Sequence, residues 1–324
     1  MDICYISDDN FAMILGTSIL SLVKNNLKEK ITIHLIDTGI SGENINKLKS
    51  IINGKNITLV FYRPDSLIQS LKSKGFTAPV ENNSLSTIIR LFLPLILPTT
   101  IKKLLYIDCD TIVCSELYSL YHVNLNGKAL AGVIDANYDF LFDKRTGYKK
   151  ESYINAGVLL IDFEMYSKIM KTESIMRILT EHPLFADQDV INTLLKDQIK
   201  IIDPKFNLTI KYRLADSKDL AYWINWRLPY SSNKIDQGRA NPIIMHFTSS
   251  LLGRPWEKNC MDPQKALWLN YYFDSPWNES KLNNKRLSVT NKLGRIVYSL
   301  FPRKIYYLID YRFERRKFYR KTKR

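Results

Sequence analysis

Short apolar runs of strand length alternate with segments whose apolar positions recur at helical spacing. Ile3–Ile6, Ile31–Ile36, Ile57–Tyr62, Lys103–Ile107 and Ala129–Ile134 are the runs, and Phe11–Leu22, Gly42–Ile52 and Ser86–Leu93 are the helical segments between them. Asn10 is the expected N-cap of the first helix, and Ser41-Gly42 is a turn that opens the second. This alternation predicts an α/β chain built on a doubly wound, mostly parallel sheet. Further on, Ala156–Ile161 reads as a strand, Glu164–Leu179 as a helix, and Asp187 as the start of another. A looser aromatic stretch, Tyr222–Tyr230, precedes a strand at Ile243–His246. No internal repeat and no low-complexity segment occurs before residue 280.

Open parallel sheets bind ligands outside the carboxyl ends of their strands, and here those ends are acidic. Leu104–Val113 runs from apolar residues into Asp108-Cys109-Asp110 and back into apolar residues. Two carboxylates this close repel unless a cation sits between them. Hard divalent ions take oxygen ligands and bridge carboxylates to a substrate's phosphates, so the pair predicts a metal–phosphate site. An Asp-rich turn is the plainer alternative. Asp8, Asp9 and Asn10 follow the first strand, Asp135 follows Ile134, and Asn155, Asp187-Gln188-Asp189 and His246 lie in later loops. Several such loops converging suggest a nucleotide–metal site. No GxGxxG and no GxxxxGK[ST] is present, so neither a classical dinucleotide site nor a P-loop is expected.

Composition adds one asymmetry. The chain has 324 residues and a net charge of +15, and residues 281–324 hold 15 Lys/Arg against only Asp310 and Glu314. A nearly neutral body therefore carries a strongly basic tail. Leu293, Ile296, Val297, Leu300 and Phe301 fall at helical spacing there, and Ile305, Leu308, Ile309 and Phe313 continue after Pro302, interleaved with basic residues and tyrosines. Basic amphipathic helices rich in aromatics suit an anionic lipid surface, where each Lys or Arg contributes about 1 kcal/mol. No reader motif accompanies the charge, so nucleic acid is not an expected partner. No run approaches the length of a membrane span, and Met1-Asp2-Ile3 lacks the basic start of a secretory signal. The four cysteines show no CxxC spacing and are expected as free thiols in a reducing cytoplasm.

Taken in order, Ser7-Asp8-Asp9-Asn10-Phe11, Ser86–Arg90, Tyr106–Asp110, Asp135-Ala136-Asn137, Tyr153–Gly157, Asp187-Gln188-Asp189 and Ile244–Thr248 resemble glycosyltransferase family 8, the nucleotide-sugar transferases with a DxD motif. Its bacterial galactosyl- and glucosyltransferases of lipopolysaccharide and lipooligosaccharide synthesis are the nearest in pattern. The resemblance implies a Rossmann-like GT-A fold and a retaining transfer of hexose from a UDP-sugar, UDP-galactose first and UDP-glucose nearly equal. It implies Mn²⁺, with Mg²⁺ as the second choice, held by Asp108, Asp110 and His246. Asp8 and Asn10 would contact uridine, Arg90, Asp135, Asn155 and Asp187 the sugar or its phosphate, and Gln188 would lie beside the anomeric carbon opposite UDP. Gln188 as a covalent nucleophile and a front-side displacement both stay open.

One departure marks this chain. The family's His-aromatic-x-Gly-x-x-Lys-Pro-Trp segment is here His246–Trp256, two residues longer, with Arg254 for the lysine. Arginine still binds phosphate, and more rigidly. The expected organisation is a catalytic domain over 1–256, an aromatic connecting segment over 257–280 and a basic membrane-association tail over 281–324. The expected acceptor is an oligosaccharide or lipid-linked saccharide, and the expected location the inner face of the cell membrane. A haloacid-dehalogenase-type phosphatase, with Asp108 as nucleophile, is the alternative function. Its motif is usually N-terminal, followed two residues on by Thr or Val, where this chain has Ile112.

Overall fold

The computed structural model describes residues 1–73, 85–142, 149–182, 186–284 and 286–321; Lys285 and 322–324 of the basic tail lie outside these. Seven strands form the central sheet: β1 (Asp2–Ser7), β2 (Ile31–Asp37), β3 (Ile57–Tyr62), β4 (Lys103–Ile107), β6 (Leu130–Gly132), β7 (Val158–Asp162) and β8 (Ile199–Ile201). They lie in the order β3-β2-β1-β4-β7-β6-β8. The sheet is parallel apart from β7, which runs antiparallel to both neighbours. The mostly parallel sheet read from the alternation is therefore present. β1 and β4 are buried on both faces, as near-continuous apolar runs require.

A second, two-stranded sheet pairs β5 (Thr111–Val113) antiparallel with β9 (Ile244–His246), with Thr111 opposite His246. This small ladder decides the site, because it places His246 beside the Asp108–Asp110 turn.

Several boundaries differ from the expectation, each for a local reason. Asn10 does not cap the first helix. A 3-10 turn at Asp9–Phe11 precedes the α-helix Ala12–Asn25, and the Asp8 carboxylate accepts from Phe11 N at 3.1 Å. Glu164–Leu179 is two helices, Phe163–Ile169 and Thr172–Glu181, capped at its first end by the Asp162 side chain. The helix expected to start at Asp187 does so, as Asp187–Leu194; Ala186 is its cap and donates its N–H to Asp189 Oδ2 at 2.9 Å.

Residues 257–280 do more than connect. The helix Lys265–Phe273 packs on Ala12–Asn25 with Trp268 fully buried, and the Trp277 ring lies where a Cβ on Gly16 would sit. The basic region forms two helices, Val289–Leu300 and Arg303–Lys321. They fold back as a hairpin onto the body. Tyr306 and Tyr307 are buried against Trp223, and Asp310 accepts from the Tyr138 hydroxyl and, at 2.8 Å, from Trp223 Nε1. Several aliphatic residues of the hairpin are exposed, among them Leu293 at 58% and Leu300 at 75%, while Val297 packs on the core. Among the described residues no helix is long and apolar enough to cross a membrane.

Candidate active site

Asp108-Cys109-Asp110 is a tight turn between β4 and β5. The Thr111 hydroxyl donates to Asp108 O at 2.9 Å, closing the turn, and Cys109 Sγ points inward toward Ile6 O at 3.1 Å. With the middle residue turned into the core, both carboxylates face the cavity at the strand end. Phe247 N donates to Asp110 O at 2.8 Å, extending the β5–β9 ladder by one bond and fixing the imidazole of His246 alongside. His246 Nε2 stands 3.0 Å from Asp110 Oδ1 and 3.8 Å from Asp108 Oδ2. One donor atom from each of the three residues falls within 4.8 Å of the others.

The electrostatics of this trio are those of a cation site. Burial alone would lower the His246 pKa, but Asp110 and Asp108 beside it outweigh burial and hold it above the ordinary histidine range. Burial likewise opposes ionisation of Asp110, and His246 and Arg254 overcome it, so its pKa is lowered. Two carboxylates and one imidazole suit a borderline-hard divalent ion, and the imidazole is prepared for it. Gly157 N donates to Asn155 Oδ1 at 3.0 Å, which identifies that atom as the acceptor. Asn207 Nδ2 therefore donates to it, at 2.8 Å, and Asn207 Oδ1 faces His246 Nδ1 at 2.9 Å. A proton on Nδ1 leaves the Nε2 lone pair of neutral His246 aimed at the carboxylates. Asp108, Asp110 and His246 thus fit a divalent cation.

A cavity of about 220 Å³ adjoins the trio, lined by Asp8, Arg90, Tyr106, Asp108, Asp110 and Arg254 among others. Arg254 Nη2 lies 3.9 Å from Asp110 Oδ2 and also lines the cavity, so the lengthened loop still delivers its guanidinium to the Asp110 side. Arg90 is buried and bridges two acids, with Nη2 3.0 Å from Asp108 Oδ1 and Nε 2.7 Å from Asp187 Oδ2. Burial raises the Asp187 pKa despite Arg90. Arg90 also donates to Ala156 O at 2.8 Å, tying the helical turn to the loop before β7.

Gln188 is held at both ends of its amide. Its Oε1 accepts from Ala156 N at 3.1 Å and Asn155 Nδ2 at 3.3 Å, and its Nε2 donates to Asp135 Oδ2 at 2.8 Å. Asp135 Oδ2 also accepts from Asn137 Nδ2 at 2.9 Å. One chain of side chains therefore runs from His246 through Asn207, Asn155 and Gln188 to Asp135. Of the residues singled out in the sequence, Asp9 and Asn10 are not brought in: Asp9 is turned to the helix Gly42–Ile52, and Asn10 stands apart. Its side chain is exposed and does not line the cavity.

Asn207, Gly157 and Asp9 have roles that the sequence did not assign. Asn207 sits in an ordinary turn. Gly157 is required because a Cβ there would stand 2.2 Å from His246 Cε1 and 2.9 Å from Asp108 Oδ2. Asp9 proves structural: its Oδ1 accepts from Ser41 N and Asn44 Nδ2, both at 2.8 Å, and anchors the helix Gly42–Ile52. The phosphatase alternative gains nothing here. Asp108 Oδ1 is engaged by the Tyr106 hydroxyl at 2.7 Å and by Arg90, and Oδ2 is turned toward His246 and Asp110, the placing of a cation ligand.

Residues 2–260 match the family described as glycosyl transferase family 8. General stress protein A of Bacillus subtilis is 27% identical over 289 residues, spanning 86% of this chain and 95% of the relative. The lipopolysaccharide 1,2-glucosyltransferase of Escherichia coli K12 is 24% identical over 289 residues, spanning 86% of this chain and 79% of the relative. The solved structure of the galactosyltransferase LgtC with donor and acceptor sugar analogs superposes with a TM-score of 0.68 at 22% identity, covering 86% of this chain and 99% of that one.

Proposed function

The chain belongs to glycosyl transferase family 8, and from that premise we propose that it transfers a hexose, galactose or glucose, with retention from a UDP-sugar to a saccharide acceptor in surface-glycan synthesis. The observation that carries the reading is the gathering of Asp108, Asp110 and His246 within 4.8 Å beside a cavity that Arg254 also lines. Those three residues would hold Mn²⁺, or Mg²⁺ in its place. The bound ion would neutralise charge on the departing diphosphate.

The chain's own residues do the rest. Arg254 supplies a second positive charge on the diphosphate side. Asp8, at the cavity wall, faces the nucleoside end. Arg90, neutralised by Asp108 and Asp187, fixes both carboxylates so that Asp187 presents a set oxygen to the sugar. Asp135 and Asn155 hold Gln188, and the Gln188 carbonyl already accepts two hydrogen bonds, which occupies its lone pairs. A carbonyl so engaged is poorly placed to attack carbon. Gln188 therefore positions the sugar, and the acceptor hydroxyl enters on the face that UDP leaves.

The organisation follows the same reading: residues 1–256 carry the catalysis, 257–280 brace it, and 281–324 hold the enzyme on the anionic inner face of the membrane, where a lipid-linked acceptor lies. The test is the anomer first formed from UDP-galactose or UDP-glucose in an NMR time course. The α-anomer appearing first supports retention, and the β-anomer first contradicts it.

A further inference from the structure

The turn after β1 faces two ways. Asp8 and Phe11 line the donor-side cavity, whereas Asp9 between them points to the helix Gly42–Ile52. Its Oδ1 accepts from Ser41 N and from Asn44 Nδ2, both at 2.8 Å. A carboxylate beside that helix N-terminus is also favoured by the helix dipole. The bond from Asn44, and then those from Ser41, hold the Asp9 carboxyl below its ordinary range. Asn44 therefore meets a pure acceptor at this end of its amide.

The other end of that amide is fixed from a distant part of the chain. Trp277 Nε1, which can only donate, reaches Asn44 Oδ1 at 2.8 Å. An anion on one side and an indole N–H on the other thus leave the amide one orientation. The Trp277 ring is buried against Gly16 of the helix Ala12–Asn25, where a Cβ would stand 2.1 Å from Cζ3. Its seat is set by the end of the helix Lys265–Phe273: Trp277 N donates to the buried Ser275 Oγ at 3.3 Å, and that hydroxyl donates to Tyr272 O at 2.7 Å. One ring therefore packs on the helix that begins at the turn and bonds the helix that Asp9 anchors.

Resting on the transfer reading above, we propose that Asp9, Asn44 and Trp277 are positioning residues for the nucleoside end of the donor. Trp277 sets the amide of Asn44, Asn44 and Ser41 hold Asp9, and Asp9 fixes the turn that presents Asp8 and Phe11 to uridine. None of the three lines the cavity, so each acts through its neighbour. The metal end has a separate support, the β5–β9 ladder with Asn207. The two ends of one ligand are held from different parts of the chain, and residues 257–280 act on donor recognition as well as on packing.

Calorimetric titration of the full-length protein with Mn²⁺ present, comparing UDP with methyl diphosphate, which lacks the nucleoside, tests this. Trp277→Phe keeps an aromatic ring over Gly16 and removes the N–H. Asn44→Ala, at a half-buried position, removes the amide and leaves Trp277 in place. Each is expected to weaken UDP about tenfold, the size of one positioned hydrogen bond, and to leave methyl diphosphate at wild-type affinity. Because the residues act in series, the double variant should lose no more than Asn44→Ala alone. A ring that only packs would weaken both ligands together and add its loss to that of Asn44→Ala. UDP bound by both variants as tightly as by wild type, equal weakening of the two ligands, or additive losses would overturn the proposal. Wild type that binds neither ligand with Mn²⁺ would instead overturn the transfer reading, and the relay with it.

Discussion

Asn207 Oδ1 lies 2.9 Å from His246 Nδ1, and Asn207 Nδ2 reaches Asn155 Oδ1 at 2.8 Å, so one amide sets the imidazole and braces the loop that holds Gln188. Removing such a partner typically weakens metal binding 10–100-fold. Asn207→Ala is therefore expected to lower Mn²⁺ affinity in the presence of UDP by about 10–100-fold, measured by titration calorimetry. Asn207→Asp keeps an acceptor for Nδ1 but sets a carboxylate oxygen against Asn155 Oδ1, so its Mn²⁺ affinity should fall less than that of the alanine variant while the Asn155 loop loosens. Wild-type affinity in the alanine variant would remove Asn207 from the account.

Gly157 faces the same trio from the opposite side. A Cβ there would meet His246 Cε1 at 2.2 Å and Nδ1 at 2.7 Å, and both belong to a buried ring with no room to retreat. Gly157→Ala should cost about 1–3 kcal/mol of stability through overpacking and abolish Mn²⁺-supported UDP binding, while far-UV circular dichroism stays native. Denaturant titration and nucleotide binding on one preparation check both halves.

The hairpin is fastened at Asp310, whose carboxylate accepts from the Tyr138 hydroxyl and from Trp223 Nε1. Asp310→Ala leaves both donors buried without a partner, at about 1–3 kcal/mol. Hydrogen exchange should accelerate first in Arg303–Lys321. Unchanged exchange there would show that the aromatic stacking of Trp223 on Tyr307 suffices alone.

Membrane contact makes a separate prediction. Lys304, Arg312 and Arg316 are exposed on the outward side of the second hairpin helix, near exposed Ile305, Leu308 and Phe313. Neutralising all three to Gln removes about 3 kcal/mol of attraction to an anionic surface, at about 1 kcal/mol each, or roughly 100-fold in partitioning. Vesicle sedimentation with phosphatidylserine, repeated at high salt where the difference should shrink, is the measurement. Equal partitioning of variant and wild type would leave the tail without this role.

Much of the sheet was legible because β1 and β4 are near-continuous apolar runs, β2 and β3 are largely apolar, and helical periodicity separates them. The acidic turn at Asp108–Asp110 was legible for the same reason, since charge stands out at the end of a buried run. His246 was not placed by local pattern: the short β5–β9 ladder that seats it joins segments far apart in the chain, and its β5 half merges with β4 in any reading by hydrophobicity. Asn207 carries no signal at all, because what matters there is a partner's tautomer, and Gly157 stands in a quoted motif whose reason, an absent Cβ beside His246, only the structure supplies. The tail was read from charge as a surface element, yet Tyr306 and Tyr307, which looked like interfacial aromatics, are buried on Trp223. Composition cannot distinguish a tyrosine facing lipid from one facing its own domain.

The central claim is that Asp108, Asp110 and His246 together hold the ion on which UDP-hexose turnover depends. Release of UDP from UDP-galactose and UDP-glucose, followed with Mn²⁺ and with excess chelator for wild type and Asp110→Asn, tests it most directly. The account predicts release by wild type with Mn²⁺ from at least one donor, and none above background with chelator or from the variant. Turnover that survives chelation, or that Asp110→Asn leaves at the wild-type rate, would contradict it.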